Sequence, residues 1–177
     1  MKEIVRYGFI LAVICTVASS LLAGVNSLTK SRIIAQAKTE EEVSLKEVIP
    51  TAVHFEPVKS DNEIVYYKAH DKKGKLIGVA FKATGKGYSS TIETIVGMLD
   101  DGTITAIKIL SQNETPGLGA RITETEFTGQ FKNAKDLADV QAITGATISS
   151  KAVIDAVKNK AEEIKKLMTN DKIQSTK

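Results

Sequence analysis

Cysteine is almost absent from this chain of 177 residues: the single one, Cys15, lies inside an apolar leader. The chain therefore has no disulfide framework and cannot by itself hold an iron–sulfur cluster or a cysteine zinc site. Tryptophan is missing, and four tyrosines with five phenylalanines supply no platform for stacking bases. Charge of either sign is not in excess: 24 basic and 21 acidic residues leave a net +3, too balanced for a nucleic-acid footprint. Only two histidines occur, His54 and His70. They stand far from one another in the chain, so both read as surface or strand residues and no metal site is expected. Nothing resembles a nucleophile–base pair or a carboxylate dyad placed for hydrolysis, so no catalytic side chain is assigned.

What the chain does have begins with Tyr7–Val25, nineteen residues without a formal charge. At about 1.5 Å per residue this run nearly matches a hydrocarbon core of roughly 30 Å. Lys2 and Arg6 ahead of it would also suit a secretory signal, but the run is longer than a usual signal core and Leu22-Ala23 is a poor cleavage site. Residues 1–26 are therefore read as a retained transmembrane helix in the lipid bilayer, with Ser19, Ser20, Ala23 and Gly24 small enough for a neighbouring helix to approach. Lys30, Arg32 and Lys38 follow the span, so basic residues do not decide its orientation. Residues 27–49 read as a juxtamembrane helical linker that lifts the next domain off the bilayer, and Pro50 ends it.

Residues 50–170 read as an α+β domain with a mainly antiparallel sheet and packed helices. Asn62–His70 and Lys75–Thr84 are β-rich runs joined by Asp71-Lys72-Lys73-Gly74; Thr94–Leu99 and Thr103–Leu110 are two more, joined around Asp100-Asp101-Gly102. Strands paired without intervening helices exclude a doubly wound fold, and no GxGxxG follows a strand. A short helix is expected within Arg121–Lys132 and a strand over Val140–Ile143. Val153, Ala156, Val157, Ala161, Ile164 and Met168 form one helical stripe after Lys151. Residues 171–177 read as a flexible tail.

Three stretches invite function. Thr144-Gly145-Ala146-Thr147-Ile148-Ser149-Ser150 opens onto that last helix, where unpaired N–H groups and the helix dipole favour an anion. Gly145 and Ala146 keep bulk away, Ser149 or Ser150 can cap the helix, and the Thr147 hydroxyl stands beside the anion site. An ordinary strand-to-helix turn fits the same residues. Glu114-Thr115-Pro116-Gly117-Leu118-Gly119 is a tight loop whose backbone and Leu118 could lie against a flat ring, or a plain turn. Glu114 reads as a hydrogen-bond acceptor rather than a catalytic acid. Gly85-Lys86-Gly87-Tyr88 is either a flexible connection or a turn that packs Tyr88 near a pocket.

Asp139 followed by Thr144-Gly145-Ala146-Thr147 resembles the flavinylation motif of the FMN-binding domain family, and Glu114–Gly119 resembles that family's second hallmark. The resemblance implies that a flavin transferase takes FMN from FAD and esterifies its phosphate onto Thr147. It implies that Thr144, Gly145, Ala146, Ser149, Glu114, Thr115, Gly117, Leu118, Gly119 and Tyr88 line the cofactor. A single span with both motifs is similar, within that family, to the G subunits of Rnf complexes, ion-translocating ferredoxin:NAD+ oxidoreductases of the cell membrane. That similarity implies other membrane subunits as partners, a cytoplasmic N-terminus and an extracytoplasmic flavin domain. The C subunits of sodium-pumping NADH:quinone reductases share the motifs but are usually longer. A free-standing extracytoplasmic flavoprotein, or a tethered binding module in which Thr147 only caps a helix, are the remaining readings.

Overall fold

The computed structural model describes residues 2–60 and 63–174, the side chains through residue 169. It divides into two compact units, residues up to Glu41 and residues from Glu42 onward.

The described residues of the first unit lie within helix α1, Lys2–Val48. Its most apolar stretch has a mean hydropathy of 2.3, and by length and composition the helix can cross a membrane. Where the sequence suggests a span and a separate linker helix, α1 is continuous. No proline occurs before Pro50 to break the backbone ladder, and the isolated glycines Gly8 and Gly24 weaken a helix without ending it. Thr16 and Thr29 donate their hydroxyls to the carbonyls of Ala12 and Val25, both at 2.8 Å, which satisfies them inside an apolar helix.

The second unit is built on a five-stranded antiparallel meander, β1 (His54–Ser60), β2 (Glu63–His70), β3 (Leu76–Lys86), β4 (Thr91–Leu99) and β5 (Ile104–Ser111), in that spatial order. The two hairpin signals hold: Asp71 accepts the Lys73 and Lys75 amides at 2.8 and 2.9 Å, and Asp101 accepts the Thr103 amide at 2.9 Å. Strand β1 has no clear signal in the sequence, because Glu56, Pro57 and Lys59 give it a polar, proline-broken pattern. As an edge strand with a bulge at Val58/Lys59, it tolerates a residue that cannot donate. The register also places His54 opposite His70, with ring centroids 6.3 Å apart, so residues distant in sequence are neighbours across the sheet. Among the described residues no group of three metal-ligating side chains forms around them. Asn62, the expected start of β2, lies outside the described residues.

Alternation along the strands sends side chains to two cores. Val79, Phe81 and Ala83 of β3 and Ile92, Val96 and Met98 of β4 are buried on one face with Val153, Val157 and Ile164 of helix α3, Thr147–Gln174. Ala80 and Ile95 face the other way and meet Leu45, Val48, Ile49 and Ala52. The last turn of α1 is thus core to the second unit. The Thr105 hydroxyl, 2.5 Å from the Val48 carbonyl, satisfies one of the helix's terminal acceptors.

The short helix expected within Arg121–Lys132 is α2, four residues at Thr125–Thr128, flanked by 3-10 turns at Gly119–Thr123 and Gly129–Phe131. Val140–Ile143 is not a strand: the amides of Val140, Gln141 and Ile143 are taken by the Leu137 carbonyl, the Gln130 side chain and the Ser150 hydroxyl. With these donors engaged locally, little is left for a sheet ladder. Helix α3 runs to Gln174, past the point where a flexible tail is expected to begin; residues 175–177 lie outside the described residues.

Candidate functional site

Three chain reversals meet at one end of the sheet, and the Glu114 carboxylate joins them. Strand β5 ends at Ser111. Three residues later Glu114 turns inward and is 5% exposed. Across from it, β3 and β4 are connected by a tight turn closed by the Gly87 amide on the Ser90 carbonyl at 2.8 Å. The turn's amides converge on the carboxylate: Tyr88 donates to Oε2 at 3.1 Å, Ser89 and Ser90 to Oε1 at 3.0 and 2.9 Å. The Ser90 hydroxyl adds a bond at 3.2 Å. From the opposite side the Ser149 hydroxyl, in the first turn of α3, donates to Oε2 at 2.6 Å.

Two glycines make room for this carboxylate. A Cβ on Gly87 would stand 2.5 Å from Glu114 Oε1, and one on Gly119 would stand 2.8 Å from the Ser149 hydroxyl and 2.9 Å from Glu114. Their role is close approach to an acceptor, which a reading of turn flexibility does not reveal.

The turn into α3 uses a third glycine differently. Ala146 donates to the Ile143 carbonyl at 2.9 Å, and Gly145 sits at φ 84°, the left-handed value this reversal requires at its third position. The Ser150 amide bonds the Ala146 carbonyl at 2.9 Å, so the helix starts at Thr147, ahead of both serines expected to cap it. Neither serine is its cap: Ser149 is spent on Glu114, and Ser150 Oγ accepts the Ile143 amide at 3.1 Å. The amides of Thr147, Ile148 and Ser149, the first three of the helix, have no carbonyl four residues back within it.

These reversals enclose a cleft of about 400 Å³ lined by Tyr88, Glu114, Thr115, Leu118, Gly119, Gly145, Ala146, Thr147, Ile148 and Ser149. Nine of the eleven residues suggested by sequence are among them; Thr144 and Gly117 are not. Gly117, at φ 74°, shapes the loop that presents Leu118. Ile148 escapes a sequence reading: an apolar residue beside Thr147 looks like core by composition, yet it is 56% exposed at the cleft. Tyr88 and Leu118 are likewise 73% and 51% exposed. Large apolar side chains left uncovered around a concave site mark a place where a ligand is received.

The lining suits FMN. Tyr88, Leu118 and Ile148 offer surface to a flat ring, while the first turn of α3 offers amide donors and the positive end of a dipole to a phosphate, worth about 0.3–1 kcal/mol. Among the described residues no lysine or arginine lines the cleft, so backbone groups are what it offers to an anion.

Burial opposes charge on Glu114, but the Ser149 hydroxyl and the amides of Ser90, Ser89 and Tyr88 outweigh it and hold the carboxyl below its ordinary 4.5. A carboxyl depressed by folding contributes stability that is complete above the unfolded value. That contribution is lost as the pH falls from there through the lower folded value. Acid titration of the full chain, followed by circular dichroism, is expected to show a loss of stability below pH 4.5 that is smaller in Glu114→Gln. Parallel acid profiles for the two proteins would remove Glu114 as its source.

Comparison with known proteins agrees with this geometry. Residues 87–162 match the FMN-binding domain family and residues 1–48 match the RnfG N-terminal region. The chain is 37% identical to the G subunit of the ion-translocating oxidoreductase complex of Methanosarcina acetivorans, covering 88% of this chain and 92% of that one. It is 35% identical to the G subunit of the Na+-translocating ferredoxin:NAD+ oxidoreductase complex of Acetobacterium woodii, covering 88% and 89%. Among solved structures, the C subunit of the Na+-translocating NADH-quinone reductase of Parabacteroides distasonis shares the fold, with a TM-score of 0.52 at 22% identity over 72% of this chain and 82% of that one. With a membrane-length helix, an FMN-binding domain and relatives matched over nearly their whole length, the chain belongs to the family of G subunits of the ion-translocating oxidoreductase, or Rnf, complexes.

Proposed function

We propose that this chain carries electrons within an ion-translocating ferredoxin:NAD+ oxidoreductase on FMN esterified through its phosphate to the Thr147 hydroxyl. The observation that carries the proposal is the exposed position of Thr147 on the first turn of α3, lining a cleft whose other walls are Tyr88, Leu118 and Ile148. In maturation by a flavin transferase, Thr147 Oγ1 forms the new bond to the FMN phosphorus, the pyrophosphate bond of FAD breaks, and AMP leaves. FMN, once bound, supplies the redox chemistry. The chain's residues would hold it: the amides of Thr147 to Ser149 would receive the phosphate, and the apolar side chains at the rim, Tyr88, Leu118 and Ile148, would keep water from the ring.

On this reading Tyr7–Val25 crosses the lipid bilayer with the N-terminus cytoplasmic, and the flavin domain lies on the extracytoplasmic side. A covalent tether suits that side, where lost cofactor could not readily be rebound. The partners are the other membrane subunits of the complex. Intact mass after co-expression with the flavin transferase is expected to rise by FMN minus water, and the protein is expected to co-purify with several polytopic subunits. An unmodified mass from a transferase-competent host would refute the flavin assignment; a modified chain that purifies alone would refute membership of a working complex.

A further inference from the structure

We propose that Glu114 is the positioning residue of this cleft: its carboxylate locks the β3–β4 turn to the first turn of α3, and its fixed charge keeps the reduction potential of the flavin low. The inference rests on the flavin reading above for its second half only.

The locking follows from the hydrogen bonds. One carboxylate receives three consecutive amides, Tyr88 to Ser90, and two hydroxyls, Ser90 from the same turn and Ser149 from the helix. Tyr88 and Ser149 share Oε2, so the turn bearing an exposed aromatic wall and the helical turn bearing Thr147 are held by the same atom. Among the described residues no backbone bond joins these two segments. Gly87 and Gly119 leave the space the carboxylate occupies, so the acceptor is built into the backbone on both sides.

The charge follows from its surroundings. Charge-assisted bonds to a buried carboxylate are stronger than neutral ones and keep it ionised. Near neutral pH, reduction of flavin takes up two electrons and one proton and leaves one net negative charge. A negative charge fixed in the lining of the same cleft opposes that uptake, the more so at the low effective dielectric of a partly enclosed site.

The experiment has two arms, both on the full chain in detergent. In the first, amide hydrogen exchange is measured on flavin-free protein. The Tyr88, Ser89 and Ser90 amides are expected to be protected at neutral pH although the side chains of Tyr88 and Ser89 are exposed, and to exchange at least tenfold faster in Glu114→Gln. Fast exchange in the unsubstituted chain, or equal protection in both, overturns the locking role whatever the flavin content.

In the second arm, spectroelectrochemical titration compares covalently flavinylated wild type with Glu114→Gln and Glu114→Asp. Glu114→Gln is expected to favour the reduced form at least tenfold, a midpoint about 30 mV higher for a two-electron couple. Glu114→Asp, which keeps the charge, is expected to stay within a third of that shift. Unchanged potential in Glu114→Gln, or an equal shift in Glu114→Asp, overturns the electrostatic role. If Glu114→Gln takes up no flavin, Glu114→Asp and the exchange arm decide. Failure of the wild type itself to carry flavin is a separate result, which strikes the proposed function and leaves the exchange arm intact.

Discussion

Thr147→Ala is expected to abolish covalent flavin attachment completely while leaving the fold as stable as before. The hydroxyl supplies the oxygen of the phosphoester, and no other atom of the chain can replace it at that position. Alanine removes the nucleophile and nothing else of structural weight, since Thr147 is exposed and lies outside both hydrophobic cores. At the start of a helix alanine is at least as good a helix former as threonine, by up to about 0.7 kcal/mol. Melting of the variant is therefore expected to match or slightly exceed that of the parent, while fluorescence of the denatured band in a gel disappears. Thr147→Ser keeps an oxygen in the same place and is expected to retain attachment. Thr144→Ala is the informative control, because Thr144 belongs to the same motif but does not line the cleft. A Thr147→Ala protein that still fluoresces after denaturation, or a flavin-bearing peptide modified at Thr144, would move the acceptor and with it the geometry of the whole site.

Much of this site is legible without the fold, and the reasons differ from residue to residue. The Thr144–Thr147 motif is local: a turn opening onto a helix is legible from adjacent residues, whereas the positive φ of Gly145 and the helix start at Thr147 appear only in the fold. The hairpins after Asp71 and Asp101 are legible for the same reason. Glu114 can be read as an acceptor, but its donors lie about 25 residues upstream in one turn and 35 downstream in a helix, a convergence that no local pattern encodes. His54 and His70 fail in the same way: separated in sequence, they become neighbours through a register. Strand β1 is hidden by Pro57 and its charges, which suit an edge but not the interior strand that patterning detects. The segment 140–143 errs in the other direction, since its apolar residues are β-prone while its amides are claimed by Gln130 and Ser150. The end of α1 shows a third cause. Leu45 and Val48 sit in a stretch that reads as a polar linker, and only the opposite face of the sheet reveals them as core.

A large loss of stability is expected from Phe127→Ala, at a residue that lines no part of the cleft. Phe127 is fully buried although it belongs to a helix of only four residues, too short to persist without tertiary packing. Its ring meets Phe131 edge to face, with centroids 5.4 Å apart and planes at 74°, and both pack in the core shared with Ile122 and α3. Truncation to alanine costs about 3–5 kcal/mol through lost burial and the cavity left behind. The loss of the aromatic pair forms part of that figure, at about 0.5–1.5 kcal/mol. Domains of this size are stable by about 5–15 kcal/mol, so the variant stands near the threshold of unfolding. Phe127→Leu, which fills most of the same volume, is expected to cost under about 1.5 kcal/mol. Denaturant titration of the full chain in detergent measures both; an alanine variant within about 1 kcal/mol of the parent would show that the segment after Gly119 contributes little to the core. Phe127 lines no part of the cleft, so flavin attachment is expected to persist in Phe127→Ala at temperatures where it remains folded. That behaviour is the converse of Thr147→Ala, which keeps the fold and loses the cofactor, and the pair of variants separates what holds this domain together from what it holds.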